Sequence, residues 1–204
     1  RHPHAVAPAV RELDPRAPPT ACAMVFAPHP DDEIIGCGGT ILRLVDAGAR
    51  VVCVQATDGS DSAALRGAPE SVRRSVRLDE ARAVAAAAGI HETHFWQADN
   101  RAFRATPGLV ERAAQLFAQH RPRLVFAPFL TDIHPDHLTL NRILAAAIER
   151  SGEALEGSQV LGYEVWALAP PSLVCDVAAV RARQEELLWL YTTAMKVDDF
   201  IELC

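Results

Sequence analysis

A Rossmann-like three-layer α/β sandwich with a mostly parallel sheet is the fold the 204-residue sequence predicts, on three observations. Short β-rich apolar runs alternate with longer stretches of helical periodicity. Helix-boundary residues stand between them. The alternation persists through four cycles, long enough to build one sheet with crossover helices.

In chain order the cycles are a strand at 22–27 and a helix at 39–47, a strand at 50–56 and a helix at 71–88, a strand at 93–96 and a helix at 107–120, and a strand at 123–127 with a helix at 136–150. Gly48 and Gly89 stand where helices should stop, Ser71 and Thr106-Pro107 where they should start. The tail adds strands at 160–166 and 173–177. An amphipathic helix follows from Val180 to Tyr191, with Val180, Leu187, Leu188 and Tyr191 on one face. Residues 1–21, with five prolines in the first twenty and no helical or strand period, read as an extended lead-in, and 22–204 as one domain. A chain of this size holds one sizeable core.

Composition excludes several function classes. Half the residues are hydrophobic and 23% are charged, as in a globular chain. A formal charge of −6 gives no reason to expect nucleic acid, whose binding relies on clustered Lys and Arg. No apolar run approaches the ~20 residues of a membrane span. Five cysteines without a C-x-x-C spacing read as reduced thiols, and the chain is expected to be cytoplasmic. Assembly into a homo-oligomer stays open.

In open parallel sheets ligands bind outside the carboxyl ends of the strands, and two His/Asp-rich turns follow strands here. Pro28-His29-Pro30-Asp31-Asp32-Glu33 comes directly after the first strand, followed by a small-residue turn, Gly36-Cys37-Gly38-Gly39. His134-Pro135-Asp136-His137 comes after the fourth. Two imidazoles and one carboxylate suit Zn²⁺, Fe²⁺ or another divalent metal with a position left for water, so His29, Asp32 and His137 are the expected ligands. Asp31, adjacent to Asp32 and pointing elsewhere, is left to act as a base. Asp136 is expected to hold the His134 imidazole protonated. Plainer roles exist for some of these groups: Glu33 braces the helix start or takes part in catalysis, and Asp58 supports a turn before Gly59. His91, His94 and His120 read as surface or capping histidines, and His2 and His4 as incidental.

Together, PHPDDE and HPDH resemble the PIG-L/LmbE-like zinc-dependent N-acetylglucosaminyl deacetylases. Weaker likenesses follow in order: Thr57-Asp58-Gly59, Arg77-x-x-Glu80, Asp99 and Tyr163-Glu164, so that the resemblance spans roughly residues 22–195. It implies zinc on His29, Asp32 and His137, Asp31 as general base, His134 as an oxyanion stabiliser, and a small amino-sugar or glycoconjugate as partner. The implied reaction is acetamide hydrolysis by metal-activated water, whose pKa a metal lowers from ~15.7 to ~7. Arg77 and Asp99 are candidate substrate contacts, although Arg77 and Glu80, three apart on a helix, can equally pair with each other. Two features depart from the family pattern, Arg183 where lysine is common and Thr192-Thr193-Ala194 in place of Ser-Gln, and both are expected to leave the metal site alone. Competing readings are an amidase for thiol conjugates or other small amides, and a non-catalytic binder of sugars or nucleotides.

Overall fold

The computed structural model describes residues 10–14, 21–197 and 200–201; His2, His4 and Cys204 lie outside them. The lead-in contributes a two-residue strand, β1 (Arg11–Glu12), parallel to β7 (Leu173–Val174). The main sheet consists of β2 (Cys22–Ala27), β3 (Arg50–Thr57), β4 (Glu92–Ala98), β5 (Leu124–Pro128) and β6 (Gln159–Tyr163). Its order is β4-β3-β2-β5-β6 and every neighbouring pair is parallel. The expected α/β class is therefore the observed one.

Connections are helical, as parallel neighbours require: α1 (Asp32–Asp46), α2 (Glu70–Ala88), α3 (Pro107–His120), α4 (Pro135–Ser151) and α5 (Arg181–Leu190). One face of the sheet packs Val25 and Val51 against Ile41, Val84 and Leu187, from α1, α2 and α5. The other packs Met24 and Val52 against Phe117 and Leu140, from α3 and α4. Both faces being covered explains why β2 is almost continuously apolar. Phe26 meets Trp96 and Phe117 edge-on at centroid separations of 6.2 and 5.5 Å, and burying a side chain of this kind contributes about 1.5–3 kcal/mol. No described helix is long and apolar enough to cross a membrane.

Helix boundaries follow their local chemistry. Gly89 ends α2 in the left-handed region. Thr106 caps α3, its side chain accepting the Leu109 amide with Pro107 in the first turn. One expectation fails: the Gly36–Gly39 run is not a turn but lies inside α1, which starts seven residues earlier than the periodicity suggested. The reason is packing. A Cβ on Gly36 would meet the Tyr163 ring and stand 2.6 Å from the Glu164 carbonyl oxygen, and one on Gly39 would stand 2.6 Å from Val177 Cγ1. Small residues let this helix lie close to β6 and its following segment, which a hydrophobic period does not report. Tyr163 completes the contact by donating its hydroxyl to the Phe26 carbonyl at 2.8 Å.

Beginning with β2, the chain builds outward through β3 and β4, then crosses to β5 and β6. The sheet's switch point lies between β2 and β5. Register pairs Val25 with Phe126, which brings Ala27 level with Pro128, so the loops after these strands leave the sheet side by side.

Candidate metal centre

Each loop is fixed by its own short-range bonds. After β2, the Thr57 amide and hydroxyl both donate to the Pro28 carbonyl, at 2.9 and 2.8 Å. Asp31 then turns the chain into α1 with φ 129°, a conformation rare for a residue with a side chain and found where surroundings over-determine it. The surroundings here are explicit. Glu33 Oε2 accepts the Asp31 amide at 3.1 Å, and Arg77 Nη2 donates both to the Pro30 carbonyl and, at 2.7 Å, to Asp31 Oδ2.

After β5, Asp132 Oδ1 accepts the His134 amide at 2.9 Å and forms an Asx turn. His134 is the N-cap of α4, its Nδ1 accepting the Asp136 amide at 3.2 Å, with Pro135 in the first turn. This leaves Nε2 as the protonated nitrogen of a neutral ring. Asn141 secures the loop from below by donating to the Pro128 carbonyl at 3.0 Å.

The loops converge on Asp32. Its Oδ2 lies 3.0 Å from His29 Nδ1 and 3.2 Å from His137 Nε2. The ring of His134 stands 4.7 Å from that of His29 and 4.9 Å from that of His137. Behind each imidazole is a second carboxylate: Asp136 Oδ2 at 3.0 Å from His29 Nε2, and Asp132 Oδ2 at 3.0 Å from His137 Nδ1. His137 is fully buried, yet neither nitrogen has a partner in hydrogen-bond geometry. A buried, unsatisfied imidazole nitrogen facing a carboxylate oxygen that a second imidazole also faces is an arrangement a divalent cation completes. The carboxylates behind the rings are what such a cation's histidines require to fix tautomer and orientation.

The electrostatics describe a site arranged around positive charge. Burial alone would lower His29; Asp32, aided by the Asp136 hydrogen bond, outweighs it and pushes the imidazole up to about 10. Burial would raise Asp32, but the His137 and His29 imidazoles hold its carboxyl far below the usual range. Asp31 is raised to about 6 by burial and the Asp32 charge, against the pull of Arg77. Burial lowers His134, and His29 and His137 add to the shift.

Several expectations change here. Asp136 does not hold the His134 imidazole: its carboxylate is on His29, and only its amide touches His134. Arg77 is 3% exposed and its two Nη atoms bond Glu80, Pro30 and Asp31, so it anchors the loop from the floor of the cleft, which it helps to line. Asp99 stands at the edge of the site, where its Oδ1 accepts the backbone amide and Nε of Arg101 at 3.0 and 3.1 Å. Asn100, Arg101 and Arg104 face the cleft in its place. The Thr192-Thr193 departure is coupled to the site: Glu80 Oε1 accepts the Thr192 hydroxyl, the Thr193 hydroxyl and the Thr193 amide at 2.7–2.8 Å, while Glu80 Oε2 holds Arg77. Arg183 is remote and pairs with Asp46. Asp58 does brace its turn, accepting the Ser60 amide at 2.9 Å.

Two contributors went unread in the sequence. Asp132, two residues before His134, carried an Asx-turn signal. Tyr191 carried none beyond its place on a core helix face, yet its hydroxyl bonds Glu33.

The His/Asp set opens onto a cleft of about 610 Å³, which Arg101, Arg104, Trp166, Val197 and Phe200 also line. A larger cavity of about 700 Å³ lies between β6 and the 169–175 segment. It contains none of the histidines or aspartates above, of which His29, Asp31, Asp32, His134 and Asp136 line the smaller cleft.

Residues 24–148 match the family model described as PIG-L, GlcNAc-PI de-N-acetylase. The chain is 32% identical over 120 residues to a diacetylchitobiose deacetylase of Thermococcus kodakarensis, covering 56% of this chain and 44% of that protein. It is 31% identical over 164 residues to a 1D-myo-inositol 2-acetamido-2-deoxy-alpha-D-glucopyranoside deacetylase of Saccharomonospora viridis, covering 67% and 60% respectively. The chain thus spans about half the length of these curated relatives. Among solved structures, a conserved protein of Thermus thermophilus superposes with a TM-score of 0.70 at 27% identity, over 85% of this chain and 80% of that one.

Proposed function

The chain belongs to the PIG-L family of GlcNAc-PI de-N-acetylases, and from that premise we propose that it removes the acetyl group from an N-acetylglucosamine-type substrate by hydrolysis. Carrying this reading is the position of Asp31: a half-buried carboxylate on the cleft wall, raised to about 6, next in sequence to Asp32, on which the two loops converge. Both relatives above are named as deacetylases of acetylated glucosamine compounds, which supports the substrate class.

The proposed metal ligands are His29 Nδ1, Asp32 Oδ2 and His137 Nε2, the carboxylate oxygen lying 3.0 and 3.2 Å from the two imidazole nitrogens. Zinc bound there would supply Lewis-acid activation of water and of the acetamide carbonyl. Asp31 takes the proton of the attacking water, a task suited to a group with a pKa near neutrality. Arg77 keeps its carboxylate aimed and its strained backbone in place. His134, neutral and protonated on Nε2, donates to the carbonyl oxygen as negative charge builds on it. When the tetrahedral carbon collapses, Asp31 returns its proton to the departing amine. Asp136 and Asp132 hold the rings of His29 and His137.

The test is acetate release from N-acetylglucosamine and a panel of its glycosides by zinc-reconstituted protein, beside Asp31→Asn. The expected result is release that the variant loses while retaining its zinc. A fully loaded protein releasing no acetate from any member of the panel would overturn the reading.

A further inference from the structure

The opposite edge of the sheet carries a second histidine cluster. The amino ends of β3 and β4 and the carboxyl end of α3 bring together Arg50, Glu92, His94 and His120. His94 and His120, expected as surface or capping residues, instead face each other with ring centroids 5.6 Å apart. Glu92 Oε1 is 2.9 Å from His94 Nε2 and 3.8 Å from His120 Nε2. One ligating atom from each of the three residues lies within 4.8 Å of the others.

The cluster is balanced in charge and unsatisfied in hydrogen bonding. Arg50 Nη2 lies 2.5 Å from Glu92 Oε2, and Arg50 Nη1 2.8 Å from His120 Nδ1. A guanidinium only donates, so His120 accepts on Nδ1 and, neutral, carries its proton on Nε2. That atom and His94 Nε2 are both buried without a hydrogen-bond partner, and the His120 side chain is 1% exposed. Leaving such a group unpaired is expensive. The ion pair that holds Arg50 over the cluster is the weaker element: the side chains of Arg50 and Glu92 are 43% and 34% exposed, and pairs this open contribute little.

We propose that Glu92, His94 and His120 form a second site for a divalent cation of the zinc class, separate from the switch-point centre, and that Arg50 occupies its charge position until the cation displaces it. Two imidazole nitrogens and one carboxylate oxygen match that class of cation, with water filling the rest of the shell. Displacement of Arg50 lets His120 move its proton from Nε2 to Nδ1, exposing the Nε2 lone pair. The bound cation ties α3 to β4, a structural role remote from the cleft.

The experiment is zinc stoichiometry of the full chain across a free-zinc buffer series, for wild type, His94→Asn, Glu92→Gln and Arg50→Gln. His29, Asp32 and His137 are intact in all four, so any zinc they hold is common and subtracts out. The expected result is one zinc fewer per chain in His94→Asn and Glu92→Gln than in wild type, and binding at this site about two- to fivefold tighter in Arg50→Gln, which lacks the competing cation. Equal zinc content in wild type, His94→Asn and Glu92→Gln at every concentration would overturn the site. Unchanged affinity in Arg50→Gln would overturn the exchange. Anomalous scattering from zinc-soaked wild-type crystals is expected between the two rings; its absence there would sink the proposal without reliance on any variant's folding.

Discussion

Arg77 Nη2 lies 2.7 Å from Asp31 Oδ2, and the guanidinium making this contact is itself buried beneath the loop it holds. A carboxylate raised by burial is thereby kept from rising further. With Asp31 as the base, deacetylation requires its ionised form, so kcat/KM is expected to rise with pH through a limb no higher than about 6. Arg77→Met removes the lowering charge, and the limb moves to higher pH. The same substitution strands the Glu80 carboxylate, and breaking a buried pair in this way costs roughly 3–5 kcal/mol. Measured pH profiles and urea unfolding of the variant separate the two effects. An unmoved limb would show that Arg77 does not act on the base.

Why this pair was only half legible in the sequence is instructive. Arg77 and Glu80 announced themselves as a helical i, i+3 pair, and they are one. Nothing in the spacing said that the pair would be buried and turned toward Asp31, because that depends on where α2 docks. The PHPDDE and HPDH runs were legible because strand ends on one side of a parallel sheet share an edge, whatever the details of packing. Asp99 was misplaced for the opposite reason: Arg101, two residues on, competes for its carboxylate locally. The Gly36–Gly39 run shows the same limit, since close helix packing and a turn both call for small residues.

Asp132 stands behind His137 and was read only from the structure. One carboxylate oxygen accepts the His134 amide and the other faces His137 Nδ1. Partners of this kind typically contribute 10–100-fold in metal affinity. Asp132→Asn retains an acceptor for the turn but loses the charge, and is expected to weaken zinc binding by about that factor in chelator competition. Wild-type affinity in the variant would confine Asp132 to shaping the loop.

For His134 the expectation concerns turnover. A donor aimed at a developing oxyanion typically contributes about 10²–10³ in kcat. His134→Ala is therefore expected to lose on that order in kcat with zinc content unchanged and KM little altered. Should the variant instead lose its zinc, His134 belongs to the ligand set, as the proximity of its ring nitrogen to His29 and His137 would permit.

Gly36 tests the packing that places α1. A methyl group there collides with the Tyr163 ring and the Glu164 carbonyl, and backbone cannot yield as a flexible side chain does. Gly36→Ala is expected to destabilise by about 1–3 kcal/mol in urea, although alanine is the better helix former. A variant as stable as wild type would mean that α1 and β6 separate freely.

Glu33 sits under Asp31, where Tyr191 and Gln55 donate to its Oε1 and the Asp31 amide to its Oε2. Burial, opposed by the Tyr191 hydrogen bond and assisted by the Asp31 charge, pushes its carboxyl from 4.5 up to about 7. An acid whose folded pKa is raised binds more protons folded than unfolded between those values, so stability falls as pH rises through that window. The loss attributable to this residue reaches about 3 kcal/mol at most, from a shift of some 2.5 units at 1.36 kcal/mol each. Glu33→Gln cannot ionise and removes that slope. In metal-free protein, urea midpoints at pH 5 and pH 8 are expected to fall further for wild type than for the variant. Parallel loss in the two proteins would place the proton elsewhere in the cluster, with His29 and Asp31 the next groups to substitute.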